Sequence, residues 1–324
     1  MSLNKSFSLK KPSFLTSFEN KKKIFSRIKK LFLTPLPLYL ALLLAINFGV
    51  LAAAGEYVLL TRGSSGGDSA TLVQDLKAEI LPAEGYSTSL TWGDLGKKLV
   101  EARAIDKDRF TENHRSPTAG GEDLDILEGG SDKPLKINEN NSGLVLNLLW
   151  AFGLTQKSKV LDEGPMKSGD YSIMDFASTA GWTLGAKKVE QLYSSTELAE
   201  LNNFQQDLVK KIAENVYRPC CDNPTSFPDC NHGMAALGLI ELEVAAGISE
   251  EQIYRDVLAF NSFWFPQTYL EIAVYFNRQG KGWNELDPKT ILGREYSSAS
   301  GSAGISNQVK DTPGLDSGGG SCGV

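Results

Sequence analysis

An uncharged apolar run from Leu36 to Ala54 constrains this chain more than any other feature. It reads Leu-Pro-Leu-Tyr-Leu-Ala-Leu-Leu-Leu-Ala-Ile-Asn-Phe-Gly-Val-Leu-Ala-Ala-Ala, and Asn47 is its only strongly polar member. A helix needs roughly 20 apolar residues to cross the hydrocarbon core of a bilayer. A soluble helix of that length would show a polar face, which this run lacks. The first thirty residues carry Lys5, Lys10, Lys11, Lys21, Lys22, Lys23, Arg27, Lys29 and Lys30 against one acid, Glu19. Basic flanks stay in the cytoplasm, which puts the C-terminal bulk outside. The expectation is a basic cytoplasmic tail at 1–34, then a single-pass signal anchor at 35–60 set in the lipid bilayer of the cell membrane. Two other readings exist: a buried core helix, or a signal peptide cut after Ala52-Ala53-Ala54. The basic segment is long for a signal peptide and no cysteine follows to take a lipid, which favours the uncleaved anchor.

The rest of the chain must fold in water. With 324 residues, 41% of them hydrophobic, it can bury a real core in one large domain or two small ones. Net charge is −6, and most of the early basic residues lie in the tail, so nucleic acid is not an expected partner.

Gly63-Ser64-Ser65-Gly66-Gly67-Asp68 reads as a tether. Residues 61–140 read as a flexible linker with little regular structure, apart from a short helix starting near Trp92. His114 falls in a polar stretch there and reads as solvated. A mainly α domain is expected over 141–296. Its helices begin with the apolar Leu144 to Phe152. A capping-box spacing at Ser194 and Glu197 then precedes a stripe of Leu198, Leu201, Phe204, Leu208, Ile212 and Val216, ended by Pro219. Gly233 to Ala246 follows, closed by Gly247. Ser249 and Gln252 open another helix, and a last one runs from about Thr268 to Asn277. Little period-two alternation is seen, so any sheet should be small. Residues 297–324 fall to Ser, Gly and Asn and read as a disordered tail ending Cys322-Gly323-Val324.

The chemistry concentrates in Arg218-Pro219-Cys220-Cys221-Asp222-Asn223-Pro224-Thr225-Ser226-Phe227-Pro228-Asp229-Cys230-Asn231-His232-Gly233-Met234. Three of the four cysteines and one of the two histidines sit here, in a loop between two helices. Thiolates and imidazole bind zinc, copper(I) and similar ions. A helix N-terminus near Cys230 would lower its thiol pKa and keep His232 neutral. Three readings follow. Cys220, Cys221, Cys230 and His232 form a metal site for copper or zinc, with Met234 as a further soft sulfur or plain core. A disulfide such as Cys221–Cys230 cycles with a redox partner. Or that disulfide only staples the helices. Cys322 could reach the cluster from the tail, or be a bystander. Asp222 and Asp229 could orient His232 or cap turns, while Arg218 and Glu241 read as ordinary surface residues. No Ser–His–Asp order, phosphate-cradling glycine loop or covalent haem motif is present, so no enzyme class is indicated.

The stretch from about Leu208 to Trp264 resembles the small extracytoplasmic proteins named for a PCYCGC motif, on Tyr217, Pro219, Cys220, Cys221, Asp229 and Cys230. Ala246-Gly247-Ile248-Ser249-Glu250-Glu251-Gln252-Ile253-Tyr254 is similar to a Gly-x-Ser-x-x-Glu-Ile turn in the thiol-carrying subunits of cytochrome c maturation, which are membrane-anchored three-helix domains. The chain has neither Cys-x-Cys-Gly-Cys nor Cys-x-x-Cys. The resemblance covers under a fifth of the chain and implies a helical Cys-loop fold outside the membrane, without naming a reaction. Together these features lead to the expectation of a membrane-anchored extracytoplasmic protein that handles or senses copper or zinc, with a metal-exchange or redox protein as partner. The alternatives are a thiol–disulfide protein or a disulfide-stapled interaction domain.

Overall fold

The structure is a computed structural model, and it describes residues 70–116 and 121–315. The expected basic tail, the anchor at 35–60, the tether and Cys322 lie outside the described residues. Among the described residues no helix is long and apolar enough to cross a membrane.

The fold is mainly helical. Helix α1 (residues 70–80) buries Val73, Leu76 and Ile80, three and four residues apart on one face. Strand β1 (Tyr86–Gly93) pairs antiparallel with β2 (Ser131–Ile137), Tyr86 opposite Ile137 and Gly93 opposite Ser131, with the ladder interrupted on either side of Thr91. On β1 Thr88 and Trp92 point inward, and on β2 Leu135 and Ile137 do, as strand alternation requires. Between the strands lie α2 (Leu95–Glu101) and α3 (Lys107–Asn113). Residues 70–116 and 121–140 are thus part of the folded body, and the linker expected there is not found. The apolar residues responsible come singly or in pairs, such as Ile80-Leu81 and Ile126-Leu127, too scattered to read as a run. His114, expected in solvent, is buried: its ring packs 4.7 Å from Phe110 and its Nε2 lies 3.0 Å from Asn147 Nδ2.

Helix α4 (Ser142–Thr155) buries twelve of its fourteen residues, so it runs through the core rather than over it. After α5 (Lys159–Glu163) and several single turns come α6 (Asn203–Ala213) and α7 (Asn231–Ala245). α4 and α7 cross where Gly153 meets Gly238. A Cβ on Gly153 would sit 2.2 Å from the Met234 carbonyl, and one on Gly238 would sit 2.5 Å from that of Leu149. Only glycines permit this approach. α8 (Glu250–Trp264) starts at the Ser249 cap as the sequence suggests, and α9 (Pro266–Asn277) follows after a one-residue break.

Two boundaries differ from expectation. α6 begins at Asn203, where Asn202 and Gln205 form the capping box, not at Ser194. Residues 198–199 are held outside the helix because their amides donate to Gln156 Oε1, both at 2.9 Å. The second difference is α10 (Ala299–Val309), which occupies part of the segment expected to be a disordered tail. It buries Ile305 and Val309, and Arg278 Nη1 donates to the Gln308 carbonyl at 2.8 Å. Docking supplies what its composition does not. One continuous core extends from Val73 to Val309.

Candidate metal centre

The loop from α6 to α7 folds around Arg218, which has no exposed surface. Nε donates to Cys230 Sγ at 3.2 Å, Nη1 to the Asn223 carbonyl at 2.8 Å, and Nη2 to the Phe227 carbonyl at 3.1 Å and Asp229 Oδ1 at 2.5 Å. Asn223 Nδ2 also donates to Asp229 Oδ2, at 2.8 Å. One guanidinium therefore holds both ends of the loop. It takes a buried charge that would otherwise be costly and satisfies it with a carboxylate and three further acceptors. Backbone bonds tie the loop down: Thr225 N–H to the Val216 carbonyl, Ser226 N–H to that of Ala213, and Ser178 N–H to that of Asp229.

This folding brings three thiols together. The Sγ atoms of Cys220, Cys221 and Cys230 all lie within 4.8 Å of one another, and Cys220 and Cys230 are 3.1 Å apart. All three are free cysteines and half-buried. Cys230 is the N-cap of α7 and accepts from the Gly233 amide at 3.3 Å. Its sulfur thus replaces the oxygen usual at that position. Hydrogen bonds from the Cys220 and Cys221 thiols pull the Cys230 pKa well down, and Arg218 adds to this against the cost of burial. Cys220 is pushed up in exchange, by its bonds to the Cys221 and Cys230 sulfurs and by burial. The Cys220 bond lowers the Cys221 pKa, but the Cys230 bond and burial outweigh it and leave it at about 12. The Arg218 and Gly233 donors around Cys230 thus favour the thiolate there over the other two sulfurs.

His232 stands outside this set. It lies in the first turn of α7, buried, with its ring 4.4 Å from Phe265 and 5.9 Å from Trp264. Its Nδ1 has no hydrogen-bond partner. Burial lowers its pKa to about 4, with Arg218 adding to the effect and Cys230 opposing it, so the imidazole is neutral. Met234 is fully buried core. Neither aspartate orients His232: Asp229 pairs with Arg218, while Asp222 Oδ1 accepts from the Ser300 amide and hydroxyl at the start of α10, at 2.8 and 2.7 Å.

Arg218 and Glu241 are both fully buried, contrary to the surface roles read from the sequence. Arg218 was hidden by its type, since a charged side chain is rarely buried unless paired. Its signal is Gly233: a Cβ there would lie 2.6 Å from the guanidinium carbon. A glycine in the first turn of an apolar helix, fifteen residues after an Arg-Pro, marks a side chain passing beneath.

The arrangement can bind a soft cation through three sulfurs, or join two of them in a disulfide. No family model matches the chain, and no curated protein or solved structure matches it either, so the local resemblance at the Cys loop rests on its own residues.

Proposed function

We propose that this chain is a membrane-anchored, extracytoplasmic protein that holds a soft metal ion through Cys220, Cys221 and Cys230 for handling or sensing. The convergence of three sulfurs on one point carries this reading. Copper(I) is the first choice and zinc the second. Thiolates select both, but structural zinc takes four protein ligands. Here the Cys230 sulfur is flanked by donors, the Arg218 Nε and the Gly233 amide, neither of which can ligate. Zinc would need water or a reoriented His232 as its fourth ligand. The residues preceding the described part supply the anchor at 35–60, and a metal-exchange protein is the natural partner.

Metal analysis of the reduced, full-length chain tests this. One copper(I) or zinc per chain is expected, with loss of that ion in Cys230→Ser. A second reading is favoured by the 3.1 Å approach of Cys220 and Cys230: a thiol–disulfide protein acting on a partner. Absence of bound metal, together with a disulfide whose potential lies in the range of exchange catalysts, would replace the first reading with the second.

A further inference from the structure

Helix α10 has a composition that should not hold a helix alone. Its eleven residues, Ala-Ser-Gly-Ser-Ala-Gly-Ile-Ser-Asn-Gln-Val, include two glycines and three serines. Each glycine costs about 1 kcal/mol relative to alanine, and isolated helices shorter than about 12–15 residues are marginal in water even when rich in alanine. Its contacts must therefore hold it, and those of its first turn come from the Cys loop. The Ala299 amide donates to the Cys221 carbonyl at 3.0 Å. The Ser300 amide and hydroxyl donate to Asp222. Ser298 Oγ accepts from Gly301. Of these three first-turn amides, two are satisfied by the residues at and just after the second thiol.

An ion held by the three sulfurs draws on the same loop. With Zn–S near 2.3 Å, two sulfurs on a tetrahedral ion sit about 3.8 Å apart. Cys220 and Cys230 must then part from 3.1 Å, while Cys221 is drawn to the same centre. Three bonds to one ion add to what holds the 220–222 stretch, which is the Cys221 amide on the Arg218 carbonyl at 3.4 Å and the bonds to Ala299 and Ser300. We propose that occupancy of the thiol cluster orders α10 through the Cys221 carbonyl and the Asp222 carboxylate, so that the C-terminal helix reports whether the site is filled. This regulation rests on the metal reading above. By linkage, ordering of α10 strengthens ion binding by the same factor.

The test is amide hydrogen exchange on the full-length reduced chain, with copper(I) or zinc added or with chelator, alongside metal analysis of the same samples. Exchange at residues 299–309 should slow at least tenfold on loading, while that of α4 is unchanged. Asp222→Ala should keep the ion stoichiometry but lose most of the protection, and its ion affinity should fall severalfold. A bound ion with unchanged exchange at 299–309 overturns the coupling and leaves the metal site standing. Failure to bind any ion overturns both.

Discussion

A guanidinium without exposed surface must find acceptors for its N–H groups, and Arg218 finds four between Asn223 and Cys230. Gly233 is the counterpart of that arrangement. Replacing a helical glycine by alanine ordinarily stabilises by up to about 1 kcal/mol. At 233 the new methyl would lie 2.6 Å from a guanidinium that four hydrogen bonds hold still, and overpacking of this kind costs about 1–3 kcal/mol. The second effect wins. Gly233→Ala should lower the melting temperature, whereas Gly304→Ala in α10, with open space around it, should raise it. Thermal unfolding of the two variants checks both signs. The thiols themselves were legible in the sequence, because cysteine has few uses. Arg218 was not, because nothing local distinguishes a buried charge from an exposed one. Spacing groups His232 with the thiols, whereas its ring packs against Phe265 and the three sulfurs converge without it.

Between α7, α8 and β1 lies a second group of buried acids. Asp256 Oδ1 accepts from the Tyr86 hydroxyl at 2.5 Å and from Gln252 at 2.6 Å, while both oxygens of Glu243 lack a donor. Burial, and then the Asp256 carboxylate, push the Glu243 carboxyl up to about 11. Glu241 on the same helix is fully buried and is also raised far above the ordinary carboxyl range by burial. The folded state keeps protons that the unfolded chain loses near pH 4.5. Stability is therefore fully present below that pH and falls as pH rises toward the folded values, by at most about 1.4 kcal/mol per pH unit for each group. Glu243→Gln should make this decline shallower and the double Glu241→Gln, Glu243→Gln variant should nearly abolish it, as read from chemical denaturation between pH 5 and 9. A Gln at 243 also gives Asp256 a donor it can use. Elements were legible where local signals agreed with tertiary packing, as for α8 with its Ser249 cap. They were illegible where a remote side chain intervened. Gln156 takes the amides that would have extended α6, and the Cys loop supplies the first-turn acceptors of α10.

At the scale of the molecule, the folded body draws on nearly every described segment from α1 to α10, so the domain is larger than the 141–296 span suggested by its apolar helices. Weak, dispersed apolar residues such as Val73, Leu76 and Ile80 gain their meaning only from the surface they cover. The orientation proposed for this body is checked by fusing a reporter active only outside the cytoplasm after Lys30 or after Val324. Activity is expected from the second fusion alone; activity from the first alone would reverse the topology and remove the setting for thiol oxidation. A connection within the fold also has an optical use. The Trp150 indole donates to the Ser178 carbonyl at 2.6 Å, and the Ser178 amide donates to the carbonyl of Asp229, the residue whose carboxylate holds Arg218. A fluorophore of α4 is thus tied by two hydrogen bonds to the rim of the thiol cluster. Intrinsic emission should follow events at the sulfurs without any attached dye.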